Sequence, residues 1–218
     1  MYRTKPSLIS GEMKMVQKLD EIHKDFLEEM ASIGAGNAST LLSTLIDKEV
    51  SVTVSTFDMV SPKNISELVT LSKELVVVQY APLGGELVGN ILLVFPRKSA
   101  LSLIDLLQKR EPGTTDWLSQ NEQDLLKKTS GSLVKCYLDA IKDFLGIVIA
   151  PSELRIFSVF GDTINDLVDL TLKKTKRQVF YLNTKLRIKP NVEGEISLIF
   201  EEALGSFLIE KSKEMLAK

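Results

Sequence analysis

Apolar residues spaced three and four positions apart predict two long helices, one near the start of each half of the chain. Each pattern places its apolar side chains on one helix face, as expected for a helix that packs on a core. The first pattern is Val16, Leu19, Ile22, Phe26, Leu27, Met30 and Ile33; the second is Leu125, Leu126, Leu133, Val134, Tyr137, Leu138, Ile141 and Phe144.

Strand-like runs follow each long helix, and a second amphipathic segment closes each half. Alternating or continuously apolar runs of branched residues are typical of strands. The runs are 50–54, 75–80 and 89–95 in the first half, and 155–160, 178–182, 184–189 and 194–200 in the second. The closing helix candidates contain Ala100, Leu101, Ile104 and Leu107, and then Leu204, Leu208, Ile209 and Met215.

The two runs that begin with glycine suggest that the chain is duplicated. Gly89-Asn-Ile-Leu-Leu-Val-Phe95 and Gly194-Glu-Ile-Ser-Leu-Ile-Phe200 lie 105 residues apart and share their end residues and apolar pattern. We expect halves at about residues 11–110 and 119–216, joined by residues 108–118, after a tail of residues 1–10. The alternative is two unrelated segments with similar patterning.

One half alone is small for an independent core, so the two sheets are expected to join. The predicted fold is therefore a single α/β domain, strictly α+β, with two pseudo-twofold-related halves and a joined sheet flanked by helices. Trp117, in the connection between the halves, is expected to pack onto the helix that follows.

Composition narrows the functional classes. The chain has 218 residues, of which 44% are hydrophobic and 26% charged, with 27 Lys plus Arg against 29 Asp plus Glu. This near-neutral balance gives no general attraction to nucleic acid or to an acidic membrane. No apolar run approaches the ~18 residues that a spanning helix needs. The N-terminus lacks a secretory signal, so we expect a soluble, cytoplasmic protein.

The chain has one Cys and one His, which limits the available chemistry. Cys136 cannot form an internal disulfide, and with His23 it cannot build a zinc site of ordinary Cys and His ligands. A Ser-His-Asp triad could use only His23. No metal site or cofactor of the chain's own is expected.

A polar stripe runs beside the apolar face of the first helix. Asp25, Glu29 and Ser32 fall within about 60° of one another at ~100° per residue. Gly34 and Gly36 follow, and each costs a helix interior about 1 kcal/mol relative to Ala. A closely approaching neighbour would offset that cost. On spacing alone, a solvated helix face is the better explanation of Asp25 and Glu29.

The stretch from Asp25 to Ser43, with its Ile33-Gly-Ala-Gly-Asn-Ala38 run, resembles the first signature helix of the CheC family of chemotaxis proteins, which includes CheX and FliY. Residues 128–151, with Tyr137-Leu-Asp-Ala-Ile141, resemble the second signature helix more weakly. The duplicated layout is also that of the family. The resemblance covers roughly residues 15–210.

The resemblance implies an aspartyl-phosphate phosphatase that acts on a CheY-type response regulator. In the family, the signature Glu pairs with a regulator Lys, and an Asn amide holds a water in line with the phosphate. Glu29, Asp25 and Ser32 correspond to the catalytic positions, and Glu29 and Asn37 to partner docking. The regulator supplies the Mg²⁺ and the phosphorylated Asp, so the phosphatase needs no cofactor of its own.

The chain departs from the family pattern at both sites. Ser32 stands where the first site has Asn, and a hydroxyl reaches less far than an amide. At the second site Asp124 matches, but Lys128 replaces Glu and Gly131 replaces Asn. Family prolines would fall at Ser55 and Leu154. Asn37 lies about 140° around the helix from Ser32 and does not replace the missing amide.

The sequence therefore predicts a degenerate second site and an altered first one, and whether the chain is an enzyme stays open. One hypothesis is a chemotaxis or motility signalling protein that docks a phosphorylated regulator and hydrolyses its phosphate weakly. The other is a non-catalytic binding module of the same fold, with the deamidase CheD or flagellar switch proteins as partners. A protein unrelated to chemotaxis is the third alternative.

Overall fold

A seven-stranded antiparallel sheet and two helices of 26 residues dominate the computed structural model. It describes residues 21–68, 74–164, 166, 178–201, 204, 207, 210, 211 and 214. The helices are α1 (Glu21–Ile46), α2 (Ile65–Leu68), α3 (Arg97–Leu107) and α4 (Gln120–Leu145). The strands are β1 (Val50–Val60), β2 (Leu75–Gly85), β3 (Gly89–Pro96), β4 (Ile149–Pro151), β5 (Arg155–Phe160), β6 (Val179–Ile188) and β7 (Val192–Glu201).

The strand order is β1-β6-β7-β3-β2-β4, and β5 also pairs with β2. Strands from both halves of the chain therefore form one sheet, as predicted. The hairpins β2–β3 and β6–β7 lie at its centre, where β3 pairs with β7. The order is the one that a duplicated chain would give, while the pseudo-twofold relation itself stays a prediction. Strand β1 forms one edge of the sheet, and β4 and β5 share the other.

The main core lies between the sheet and the long helices. Alternate side chains of the central strands face this layer, because neighbouring residues of a strand point to opposite faces. The layer includes Leu42 of α1, Leu103 of α3 and Tyr137 of α4. A smaller cluster covers the opposite face, where Ile65 of α2 packs with Val78 and Leu92.

The element predictions are largely confirmed, with three corrections. Ile33, predicted to lie on the core-facing side of the first helix, is 39% exposed. The runs 178–182 and 184–189 were expected as separate strands but form the single strand β6, because Asn183 continues the ladder with Ser197. Trp117 is 66% exposed, so the prediction that it packs onto the following helix is wrong. Residues 204, 207, 210, 211 and 214 are helical, as expected. Val16, Leu19, Leu208, Ile209 and Met215 lie outside the described residues.

No helix among the described residues combines the length and the apolar character that a membrane span requires.

Candidate functional site

The polar stripe of α1 faces solvent. Asp25, Glu29 and Ser32 are all exposed, and so is Asn37 further along the helix. The helix turns its other face, with Ala31, Ala35 and Ala38, into the core. A docking protein can therefore reach Glu29, which the regulator hypothesis requires.

A groove of about 370 Å³ separates the N-terminal part of α1 from the edge strand β1. Its helix wall is formed by Glu28, Ser32, Ala35 and Gly36, and its strand wall by residues 52–56. Ser32 therefore lies where a polar ligand or a partner side chain can enter. Glu29 falls about 20° beyond Gly36 on the helical wheel, which places it at the rim of the groove rather than in its wall.

Two serines of α1 set the distance between this helix and β1. The Ser39 hydroxyl donates to the Val50 carbonyl at 2.7 Å, and the Val50 N–H donates to Ser43 Oγ at 3.2 Å. These bonds hold the C-terminal part of α1 against the beginning of β1. The groove lies beside the N-terminal part, where α1 carries Glu28 and Ser32.

The two glycines of α1 have different surroundings. A Cβ at Gly34 would lie 3.1 Å from the backbone oxygen of Tyr137, so α1 and α4 cross closely there, as predicted. A Cβ at Gly36 would have nothing within 4 Å, so the predicted close neighbour is absent at that position. Gly36 instead lines the groove, and its missing side chain leaves that wall open.

A second groove, of about 430 Å³, lies between α4 and the segment that contains β4. It brings together Asp124, Lys128 and Gly131, the three residues predicted to form a degenerate site. Leu154 lines this groove and Ser55 lines the first, so both positions where the family has proline border a groove. The two grooves thus stand in matching places, each between a long helix and the strand segment that follows it.

The chemistry of the second groove differs from that of the first. Lys127 and Lys128 both line it. The Lys127 ammonium donates to Glu153 at 2.8 Å, and this bond and the nearby charge lower the pKa of the Glu153 carboxyl. Asp124 accepts a bond from the Gln120 amide at 2.9 Å. Gly131 contributes no polar group, so the groove has no side chain at that position to orient a water.

Sequence reasoning missed two parts of the first groove. Glu28 lines it, whereas the predicted Glu29 does not. The signal was available, because Glu28 precedes Ser32 by four residues and therefore lies about 40° from it. The wall supplied by β1 could not be found from the helix pattern, since it depends on how the strand folds back beside α1.

Solved structures with the same fold come from flagellar and chemotaxis proteins. Thermotoga maritima FliY matches with a TM-score of 0.73 and 20% identity, over 90% of this chain and 98% of that one. FliM in the FliG–FliM complex from H. pylori matches with a TM-score of 0.58 and 12% identity, over 84% and 94%. A CheC-like superfamily protein from Shewanella sp. PV-4 matches with a TM-score of 0.52 and 11% identity, over 84% and 99%.

No protein-family model matches the chain. The structural matches nevertheless confirm the predicted CheC-like fold. At these identities the likeness concerns the fold, and a fold hosts different activities on different site residues.

Proposed function

We propose that this chain is a chemotaxis or motility signalling protein that docks a phosphorylated CheY-type response regulator on α1 and hydrolyses its aspartyl phosphate slowly. Glu29 pairs with a regulator lysine, and the Ser32 hydroxyl holds the attacking water. Asp25 adds negative charge on the same side of the helix, and Asn37 contacts the regulator further along it. The regulator brings the Mg²⁺ and the phosphorylated Asp.

The observation that carries this proposal is the exposure of Ser32 in the wall of an open groove, with Glu29 at its rim. Phosphoryl transfer depends mainly on positioning and electrostatic stabilisation, so a site without a nucleophile or metal of its own is sufficient. A serine hydroxyl can hydrogen-bond a water. It is shorter than an amide and rotates more freely, which is why we expect a slow reaction.

The decay of a phosphorylated CheY-type regulator from the same genome tests the proposal. Purified full-length chain, added at catalytic and at stoichiometric ratios, should shorten the lifetime of the phosphate. Ser32→Asn should raise the rate about tenfold or more, because a misplacement of ~1 Å costs on the order of 10²-fold. Glu29→Ala should abolish the acceleration.

A matched control is Glu49→Ala, which removes an exposed carboxylate just beyond the C-terminal end of α1. This variant should keep the wild-type rate, so that a loss in Glu29→Ala reports on docking rather than on net charge. If neither the wild-type chain nor Ser32→Asn shortens the lifetime of the regulator's phosphate, the proposed phosphatase function is wrong.

A non-catalytic binding module is the second candidate function. It is favoured by the second groove, where Lys128 and Gly131 leave neither a docking carboxylate nor a water-holding side chain. It is also supported by the fold shared with FliM, which the solved structure shows in complex with FliG. Titration against CheD and against flagellar switch proteins tests it. Binding to one of them without phosphatase activity would favour this candidate over the first.

A further inference from the structure

Strand β1 carries backbone groups on its outer side, away from its partner β6. In an antiparallel pair, alternate residues direct both N–H and C=O to the partner strand, and the residues between direct theirs away. Val50 belongs to the outward set, because both of its groups bond to serines of α1. Val52 and Val54 have the same phase as Val50 in the register with β6, so their groups also point outward.

This outer edge is covered at its ends and open in the middle. Ser39 and Ser43 cover Val50 at one end. At the other end the Met59 N–H donates to Asp58 Oδ1 at 2.8 Å. In the part of the chain that the structure describes, no hydrogen bond reaches the outward groups of Val52 and Val54. An uncovered edge of this kind is a template for pairing with another strand.

The open stretch coincides with the groove. Residues 52–56 form its strand wall. The register shifts between Val54 and Thr56, so regular pairing with an added segment is confined to residues 52–54, about 10 Å of extended chain at ~3.3 Å per residue. Glu28 and Ser32 of α1 would lie above such a segment.

The charge on α1, in the groove wall and beside it, indicates what kind of segment fits. Asp25, Glu28 and Glu29 are exposed, and none of the ion pairs found among the described residues involves them. A second copy of this chain, paired through its own β1 about a twofold axis, would bring two acidic α1 faces towards each other. Repulsion between them disfavours self-pairing.

We propose that β1 accepts an extended, basic peptide segment of a partner protein, which adds to the sheet as a strand through Val52 and Val54. Backbone hydrogen bonds then provide affinity, as in other cases of strand addition. The acidic side chains of α1 in and beside the groove select lysine or arginine side chains. The proposal goes beyond the regulator chemistry, because strand addition needs neither a phosphate nor a water at Ser32.

Three fluorescein-labelled octapeptides test this with the full-length wild-type chain, read by fluorescence anisotropy. The first alternates Lys and Thr, the second alternates Glu and Thr, and the third is the Lys peptide with every second backbone amide N-methylated. The Lys peptide should bind. N-methylation should weaken it about tenfold or more, because it removes strand hydrogen bonds without changing charge. The Glu peptide should not bind.

The protein variant Val54→Pro removes the outward N–H, and proline is tolerated at such an edge position. It should weaken the Lys peptide about tenfold more than Val54→Ala does, because the alanine variant also loses the valine side chain but keeps the N–H. Should Val54→Pro fail to fold, the N-methylated peptide still decides.

Three results would overturn the proposal. The first is equal binding of the Lys peptide and its N-methylated form, which would mean charge attraction alone. The second is binding of none of the peptides. The third is self-association of the wild-type chain that Val54→Pro abolishes, which would assign the edge to a second copy.

Discussion

Replacing each glycine of α1 by alanine separates helix propensity from helix packing. Both glycines lie inside the helix, and in both variants the new methyl group should favour the helix by about 0.5–1 kcal/mol. A Cβ at Gly36 meets nothing within 4 Å, whereas at Gly34 it lies 3.1 Å from the Tyr137 backbone oxygen and 3.4 Å from its ring. The two variants therefore differ in one contact.

The contact at Gly34 sets the size of the expected difference. A backbone oxygen cannot rotate away, so α1 and α4 must separate by a few tenths of an ångström. Overpacking of this kind costs about 1–3 kcal/mol. Gly36→Ala should then be about 0.5–1 kcal/mol more stable than the wild type. Gly34→Ala should be about 1–3 kcal/mol less stable than Gly36→Ala, because the propensity gain cancels between them.

Urea unfolding measures the difference. With slopes of about 1–3 kcal/mol per molar urea, the two midpoints should differ on the order of 1 M at equal slope. The wild-type midpoint should lie below that of Gly36→Ala. Coincident midpoints for the two variants would show that α1 and α4 do not touch at Gly34. The close crossing at Gly34 could then not be what turns the polar face of α1 towards solvent.

Two further predictions concern buried hydrogen bonds. The Asp105 carboxylate of α3 is fully buried; burial raises its pKa, but hydrogen bonds from Thr115, Gly113 and Thr114 outweigh this and hold the pKa below the ordinary 3.8. Asp105→Asn should therefore lower the free energy of unfolding by about 1–3 kcal/mol at pH 7. This difference from wild type should shrink as the pH falls below 3.8 towards the lowered pKa. Urea unfolding at pH 7 and at a pH below 3.8 measures it. The Tyr137 hydroxyl lies 3.0 Å from Thr184 Oγ1, and burial raises its pKa to about 12. Tyr137→Phe should lower the free energy of unfolding by about 1–2 kcal/mol. The double variant with Thr184→Val should lose less than the sum of the two single variants, since neither partner is then left unpaired. Strictly additive losses would contradict the hydrogen bond.

Local patterns located most of the fold because they follow from the period of each element. The apolar stripe of α4 and the branched run of β3 identify a helix and a buried strand without any tertiary information. Tertiary context decided the rest. Asn183 interrupts an apolar pattern, but in the sheet its amide donates to the buried Glu195 carboxylate at 3.3 Å, so the strand continues through it. Trp117 is largely exposed, which its local sequence pattern did not indicate.

The site was predictable only on its helical side. A helix fixes the angle between Ser32 and its neighbours, so the exposed face of α1 follows from the sequence. The opposite wall requires the register of β1 against β6 and the shift between Val54 and Thr56. That register decides which backbone groups point outward, and no side-chain pattern of β1 alone specifies it.

If the proposed partners dock in the grooves, the choice between the two grooves would depend on a few side chains rather than on the backbone. Both grooves lie between a long helix and the strand segment after it, and they are similar in volume. The first presents Glu28 beside Ser32. The second presents Lys127 and Lys128 together with Asp124 beside Gly131, and Lys127 is paired with Glu153. The basic partner segment proposed above would be attracted to α1 and would gain less at α4, where Lys128 would repel it, and differences of this kind discriminate between sites. The weaker negative charge at the second groove would therefore favour docking of such a partner at α1, so the two grooves would not be equivalent in spite of their matching places.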